Sequence, residues 1–206
     1  MEFDKIKNKG QAQLFNNGLM EYLTKTHPLV IWGLYLPIII YFLWHFFQLG
    51  YSALQGAAVF FSGIFFWTFF EYIMHRYVFH WSAQSEKMQH IIYILHGNHH
   101  EYPRDKERLF MPPLPSLIIS STLFFIFYFL LKQFAFAFFP GFILGYLLYG
   151  SIHFAIHAWK PPSMFKFLWR HHHLHHYKSD HKGFGVSSPF WDLIFGTNFK
   201  EQKTSI

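Results

Sequence analysis

Residues 123–140 read LFFIFYFLLKQFAFAFFP, an apolar run interrupted only by Lys132 and Gln133. On either side of this pair, 114–131 and 134–152 contain no Asp, Glu, Lys or Arg. A helix needs about 20 apolar residues to cross a bilayer, so each side is long enough or nearly so. With so short a link, the second helix can only run back along the first. The pattern therefore predicts an antiparallel helical hairpin in a membrane.

The same pattern occurs nearer the N-terminus, where 29–49 and 53–70 are free of charged residues and only Gly50–Ser52 separate them. Pro37 and Pro140 fall inside spans, where neighbouring helices can satisfy the backbone groups that a proline leaves open. Two hairpins give four transmembrane helices. The alternative is buried core helices of a large soluble protein. It is disfavoured because charged residues make up only 14% of the chain, against roughly a quarter in soluble domains.

The basic residues orient this membrane domain. All Lys and Arg residues except Lys132 lie in the N-terminal, central or C-terminal polar segments. Two hairpins bring these segments to one side, which the positive-inside rule makes cytoplasmic. We therefore predict a multi-pass, all-α membrane protein with one domain over 1–206. Its segments are an N-terminal interfacial arm (1–28), a first hairpin (29–73), a cytosolic histidine segment (74–113), a second hairpin (114–159) and a cytosolic C-terminal histidine segment (160–206).

The N-terminal arm carries an apolar pattern of its own. Phe15, Leu19, Tyr22 and Leu23 have the spacing of one helical face. The pattern favours a short amphipathic helix at the membrane interface, with a solvated arm as the alternative.

The polar segments are rich in histidine. The chain has 16 histidines and no cysteine, which excludes disulfides and thiolate metal sites. Four clusters stand out: HRYVFH at 75–80, HGNHH at 96–100, HFAIH at 153–157 and HHLHHY at 172–177. Residues three and four apart share a helix face, so the last three clusters each direct several imidazoles to one side.

Spacing and position together select ten imidazoles as metal ligands. Zinc takes about four ligands and other metals about six, so ten imidazoles predict two ions. The alternative for any single histidine is an ordinary core or surface role, which four clusters on one predicted face disfavour. The ten are His75, His80, His96, His99, His100, His153, His157, His172, His175 and His176.

Spacing alone does not decide the geometry of one pair in this set or the roles of several nearby residues. His75 and His80 are five residues apart, about 140° around a helix, so either they flank the site or the helix unwinds there. Glu71, one turn before His75, is predicted to orient a ligand by a hydrogen bond, or else to snorkel or pair at the membrane boundary. Asp180 is a weaker candidate for that role. We interpret four histidines outside these spacings as structural: His27, His45, His90 and His181. The roles of His171 and His173, beside the C-terminal cluster, stay open.

Other functions find little support. A net charge of +6 and a sequence pI of about 9.4 can indicate nucleic-acid binding. The aromatics lie mostly in the spans, however, so the charge favours an anionic membrane surface and we predict no nucleic-acid partner. No Gly-rich phosphate loop, HExxH or GxSxG motif is present. A non-catalytic metal transporter or storage protein would need polar groups along a path through the spans, which are nearly free of them.

The flanks of the histidine clusters resemble those of a known family. They read EYIMHRYVFH, HGNHHEYPRDKERLFMPP and GFGVSSPFWDLIFGT, with GQAQLFNNGLMEYLTKT in the arm. These segments are similar to the fatty acid hydroxylase superfamily, which includes sterol desaturases and carotenoid hydroxylases, and most of all to its fatty acid 2-hydroxylases. The likeness covers roughly residues 10–197. Its most specific part is the P-x-D-x-x-R-L-x-x-P-P stretch from Pro103 to Pro113.

The resemblance implies four transmembrane helices under a cytosolic helical cap that holds a di-metal centre, with the same ten histidines as ligands. It implies insertion of one oxygen atom from O2 at carbon 2 of a fatty acyl chain, in a free fatty acid or a ceramide-like lipid. No catalytic residue beyond the metal ligands is predicted. Iron is expected for activity, and zinc in an isolated sample is compatible with all-nitrogen ligation. The alternative on this scaffold is a desaturase or a hydroxylase of another lipid, such as a sterol or a carotenoid.

Two departures from the family pattern bear on partners and substrate. Many relatives carry an N-terminal cytochrome b-type domain that feeds electrons. This chain has no room for one, so we expect a separate electron-donor protein. Relatives also often have Tyr-Asp before the third histidine cluster, where this chain has Tyr149 and Gly150.

Aromatic residues at the span ends are expected to form an interfacial belt or to pack between helices, with lining of an acyl entry as the alternative. They are Trp67, Phe69, Phe70, Tyr149 and Trp159.

Overall fold

The computed structural model describes residues 6–199, where every regular element is helical. The ends of the predicted arm and C-terminal segment, 1–5 and 200–206, lie outside the described residues. The α-helices of the described range are α1 (Gly18–Leu23), α2 (Pro28–Gln48), α3 (Ala53–Ile73), α4 (Glu86–Ile92), α5 (Asn98–Glu101), α6 (Pro113–Leu131), α7 (Ala135–Ala158), α8 (Lys166–Tyr177) and α9 (Phe190–Ile194). Between them lie π-helical turns at Met74–Phe79 and Tyr93–Gly97 and 3₁₀ turns at Lys106–Arg108, Lys132–Phe134 and Ser163–Phe165.

Three helical stretches in the described range are long and apolar enough to cross a membrane: Pro28–Gln48, Ala53–Phe79 and Lys106–Ala158. The third contains both α6 and α7. These helices meet at Lys132, whose positive φ of 53° interrupts the helical backbone. The chain is therefore an integral membrane protein built from apolar helices, as the sequence predicts.

The first two long helices begin where the sequence supplies caps. The Ser52 hydroxyl accepts the backbone N–H of Gln55 while the Gln55 side chain accepts the N–H of Ser52, which forms a capping box at the start of α3. The ring of His27 accepts the N–H of Leu29 at 3.2 Å, and Pro28 occupies the first turn of α2. His27 is thus a structural histidine, as its position outside the ligand spacings suggests.

Helix α7 is the centre of the bundle and packs on α2, α3 and α6. The indole N–H of Trp32 donates to the hydroxyl of Ser151 at 3.0 Å, and further along α2 the ring of Phe42 packs on Phe139 at 5.8 Å. Residue numbers rise along α2 as they fall along α7, so the two helices are antiparallel. The ring pairs between α6 and α7 follow the same rule, since Phe124 meets Phe139 and the later Phe127 meets Phe138.

Glycines let α3 and α7 approach until their backbones touch. A methyl group on Gly63 would lie 2.1 Å from the carbonyl oxygen of Phe138, and one on Gly141 would lie 1.9 Å from that of Phe60. Close approach through small residues is how helices associate in lipid, where apolar side chains gain little from leaving the solvent. This contact fixes the distance between two helix ends that carry histidines.

Helix α1 lies at the edge of the structure with its apolar side chains outward. Leu19, Tyr22 and Leu23 are 68%, 72% and 55% exposed. A carboxylate of the same helix, Glu21, accepts the backbone N–H groups of Leu14 and Phe15, which fixes the arm to the helix. The helix is six residues long and its exposed apolar side suits an interfacial position.

We expect Gly141→Ala to destabilise the bundle by about 1–3 kcal/mol, because its methyl group would overlap the backbone of α3. The matched control is Gly33→Ala in α2, where an added methyl group meets no atom within 4 Å. Unfolding of both variants in detergent micelles measures the difference. Equal stability of the two variants would contradict the close contact.

Candidate metal centre

The ten histidines selected by spacing lie together at one end of the bundle, in two groups of five. Within each group, one ligand nitrogen from every histidine lies within 4.8 Å of the others. Group one consists of His75, His80, His96, His100 and His175. Group two consists of His99, His153, His157, His172 and His176.

The spacing of the ring nitrogens fits an ion in each group. His96 Nε2 lies 3.1 Å from His75 Nε2 and 3.0 Å from His100 Nε2. In group two, His172 Nε2 lies 2.9 Å from His157 Nε2. Two nitrogens that each bind one ion at about 2.1 Å, at a right angle, are about 3.0 Å apart. The donor set is therefore the right size for a transition-metal ion.

Backbone carbonyls fix the tautomers of two rings. His75 Nδ1–H donates to the carbonyl of Phe184 at 2.5 Å, and His175 Nδ1–H donates to that of Lys182 at 2.7 Å. In these neutral rings Nε2 carries a lone pair that faces group one. Nε2 of His80 is buried in the same group and has no hydrogen-bond partner among residues 6–199. A cation is the partner that satisfies several lone pairs at once.

The two H-x-x-H-H clusters each serve both groups. In the central cluster His96 and His100, four residues apart, enter group one, while His99 enters group two. The C-terminal cluster divides in the opposite sense, since its i, i+4 pair, His172 and His176, enters group two. Each cluster therefore bridges the two groups.

A π-helical turn brings His75 and His80 to one side. In the turn Met74–Phe79 the His80 N–H donates to the His75 carbonyl at 3.2 Å, so one turn closes over five residues. The two ring centroids are 5.0 Å apart. Unwinding of the helix, one of the two alternatives for this spacing, is the one observed. A second π turn, Tyr93–Gly97, contains His96, the first histidine of the central cluster. The Asn98 amide donates to the carbonyls of Tyr93 and Ile94 in this turn.

Sequence reasoning missed a buried carboxylate behind group one, that of Asp192. It accepts the backbone N–H groups of Phe184 and Gly185 at 2.9 and 2.7 Å, and His171 Nε2 lies 3.1 Å away. Burial acts to raise the pKa of Asp192, but these hydrogen bonds outweigh it and lower the pKa. The carboxylate is thus charged and holds the residue whose carbonyl orients His75. Its one signal in the sequence is that it is the only charged residue in 183–197.

Glu71 and Asp180, the predicted orienting carboxylates, make no direct hydrogen bond to a ligand ring among the described residues. Glu71 accepts the backbone N–H groups of Val186 and Ser187 at 2.6 and 2.9 Å, so it supports the same loop as Asp192. Asp180 lies 3.9 Å from His80 Nδ1, beyond hydrogen-bond length.

The histidines outside the two groups have separate places in the structure. His45 packs edge-on against Phe136, with ring centroids 4.4 Å apart. His90 and His181 are exposed at the surface. His173, on α8, is partly exposed, and its ring centroid is 6.3 Å from that of His157.

The grouped imidazoles outside the spans are neutral. Burial, and then the charge that neighbouring rings would carry, hold their pKa values well below the usual range of histidine. These rings are His80, His96, His99, His100, His172, His175 and His176. A neutral imidazole is the form that binds a metal ion.

A cavity of about 260 Å³ runs from the histidines into the helix bundle. With the histidine end of the cavity taken as its top, the upper wall includes His96 of group one and His99 and His153 of group two. Its lower end is lined by Leu123 of α6 and Phe142 of α7. The cavity therefore reaches both groups from the apolar side of the molecule.

The aromatic residues at the span ends divide between the two alternatives. Trp67, Phe70 and Tyr149 line the cavity. Phe69 packs on another ring at the surface of the bundle, and Trp159 is 66% exposed, which suits packing and a belt. The expected role in packing or in an interfacial belt thus holds for Phe69 and Trp159, while the other three aromatic residues line the cavity.

Comparison of the sequence with protein-family models identifies the family of this chain. The model described as fatty acid hydroxylase matches residues 60–197, which contain all ten histidines. The chain belongs to the fatty acid hydroxylase family. The solved structure of full-length scs7p, in which only the hydroxylase domain is visible, is 38% identical, with a TM-score of 0.87 over 93% of this chain and 74% of that chain.

Curated members of the fatty acid hydroxylase family match most of this chain. The ceramide very long chain fatty acid hydroxylase of Saccharomyces cerevisiae is 38% identical over 92% of this chain and 50% of its own length. The dihydroceramide fatty acyl 2-hydroxylase of Arabidopsis thaliana is 34% identical, over 93% of this chain and 82% of its own. The mouse fatty acid 2-hydroxylase is 31% identical, over 92% and 57%. The chain thus spans about half the length of two of these relatives.

Asp192→Ala is expected to weaken metal binding about 10- to 100-fold, because the loop that orients His75 loses its anchor. Asp180→Ala is the matched control, since that carboxylate is too far from His80 to hydrogen-bond. Metal retained against a graded series of chelators, measured by mass spectrometry of the metal, compares the two. Equal retention would show that the loop anchor does not govern the site.

Proposed function

We propose that this chain hydroxylates carbon 2 of a fatty acyl chain, in a free fatty acid or a ceramide-like lipid, with O2 as the oxygen source. The observation that carries the proposal is the cavity, which leads from apolar walls to histidines of both groups. An acyl chain lying along it has one end against the imidazoles. Relatives named fatty acid 2-hydroxylase and dihydroceramide fatty acyl 2-hydroxylase support the choice of carbon and substrate.

Two metal ions, one in each group of histidines, are part of this proposal. When bound, they supply the redox chemistry that activates O2 toward an unreactive C–H bond. Iron is the metal we propose for activity, because imidazole binds iron and zinc alike but only iron is redox-active. The ten histidines are the proposed ligands, with five nitrogens of neutral imidazoles directed at each ion.

The protein positions the substrate and keeps water out. Buried rings surround the cavity beside the histidines, and Phe110, only 4% exposed, closes one side against Gly150. A methyl group at Gly150 would lie 2.3 Å from the ring of Phe110, so the glycine makes room for this ring. No side chain other than the ligands is assigned an acid or base role.

The proposed topology has four spans in two hairpins and a cytosolic cap, within a single hydroxylase domain over 1–206. Its segments are those predicted from the sequence: 1–28, 29–73, 74–113, 114–159 and 160–206. Antiparallel packing of α6 and α7 supports two spans within the third apolar stretch. Lys132 lies at the far end of the bundle, while the other Lys and Arg residues of 6–199 lie in the segments that carry the histidines, which supports a cytoplasmic active site.

The His99→Ala, His100→Ala double variant is expected to abolish formation of 2-hydroxy acyl lipids, because it removes one ligand from each group. Lipid mass spectrometry of cells that express the wild type or the variant measures this. His90→Ala, at an exposed position on α4, is the matched control and keeps wild-type product levels. The proposal fails if the double variant and the control form equal amounts of product. A loss of two hydrogens rather than a gain of one oxygen would assign desaturation.

Leu123→Phe is expected to shorten the acyl chains that are accepted, because the larger ring fills the lower end of the cavity. Turnover of the longest substrates falls several-fold while that of shorter ones is kept. Ile126→Phe, on the same helix but 47% exposed, is the control. Product chain-length distributions from both variants test the orientation of the substrate. An unchanged distribution for Leu123→Phe would place the acyl chain elsewhere.

A further inference from the structure

The cap has an excess of positive charge that its own carboxylates do not neutralise. Most carboxylates of the described chain are already engaged by the arm, by Arg108 or by buried groups. The pairs are Glu101 with Lys7, Glu107 with Lys25, Glu21 and Asp105 with Arg108, and Asp192 with His171. Lys166 and Arg170 of α8 are in none of these pairs. Their charge is therefore available to a partner.

These two cations lie on one face of α8, which they share with His173 and Tyr177. Lys166, Arg170, His173 and Tyr177 have the i, i+4, i+7, i+11 spacing of a single helix face, and the first two are exposed. Arg104, exposed on the central segment, lies close enough to His173 and His157 to interact with both electrostatically. We call the surface formed by the cations Arg104, Lys166 and Arg170 and the neighbouring His173 the cationic face.

The cationic face lies on the side of α8 that faces away from the ends of α3 and α7. The opposite side of α8 carries His172, His175 and His176, which meet histidines from the ends of α3 and α7. Helix α8 therefore lies across the ends of the membrane helices with its histidines toward them. A basic surface on the outer side suits a soluble acidic partner better than an anionic lipid.

The face also lies on a short route to group two. The ring centroid of His173 is 6.3 Å from that of His157, and His157 Nε2 is 2.9 Å from His172 Nε2. Since His157 is itself a proposed ligand, a single ring, that of His173, connects the protein surface with group two. This is the geometry that electron entry requires.

We propose that the cationic face is the docking site of an acidic one-electron donor protein. The inference rests on the proposed function, whose stoichiometry requires a donor. One C–H bond and one O2 become one C–O–H group and one water, which consumes two electrons and two protons. The donor delivers the electrons one at a time, and the protons come from water.

The test uses the full chain in nanodiscs of zwitterionic lipid and, as the probe, a reduced cytochrome b-type haem protein with an acidic surface. The variant Arg104→Glu, Arg170→Glu reverses two charges of the face. The matched control Lys87→Glu, Lys132→Glu reverses two exposed charges on α4 and at the tip of the second hairpin. We expect the face variant alone to weaken probe binding and slow haem reoxidation by roughly tenfold or more at low salt. Basic cytochrome c, as a second probe, should bind none of the three proteins.

Turnover driven by dithionite through a small mediator separates docking from chemistry. It is expected to be equal in the wild type and the face variant, with equal metal content. The proposal is overturned if the face variant binds the probe as the wild type does, or if the control loses as much. It is also overturned if anionic lipid in the nanodisc abolishes probe binding, since the face would then belong to the membrane surface. Probe binding that follows the predicted pattern without any hydroxylated product would leave the docking site standing and refute the proposed function.

Discussion

The fold depends on holding ten uncharged imidazoles in contact with one another at the edge of a membrane. Each ring must stay neutral, because a proton on one would repel its neighbours in a site with little water. Each ring must also keep its direction, because an imidazole that turns away leaves a lone pair buried without a partner. Burial meets the first requirement, and carbonyls of the 182–184 loop meet the second for two of the rings.

The helix bundle holds the two groups of imidazoles beside each other through the close contact of α3 and α7. Group one takes His75 from the end of α3, and group two takes His153 from the last turns of α7. Since Gly63 and Gly141 bring these two helices into backbone contact, the distance between the two groups is set inside the membrane. The cap then adds histidines from outside. Glu71 ties the loop of the cap to α3, and Asp192 ties the same loop to α9.

Much of this was predictable from local patterns. Uncharged runs on either side of Lys132 predict the second hairpin, and histidine spacing selects the ten grouped rings. The division of the rings was not predictable, because positions i, i+3 and i+4 share one helix face and spacing alone cannot tell which ion each one meets. The π turn at 74–79 was only partly predictable, since the five-residue spacing of His75 and His80 fits either a pair that flanks the site or a helix that unwinds. The role of Asp192 was not predictable, because it acts through Phe184 on His75, which is 109 residues from Phe184 in sequence.

The crossing of the two H-x-x-H-H clusters between the groups has a mechanical consequence. Helix α8 and the central segment each supply rings to both groups, so each of them holds the two groups together. A rotation of α8 that improved the aim of His175 would spoil that of His172 and His176. The geometry of one group therefore cannot change alone. A shift of α8 or of the central segment moves rings of both groups together.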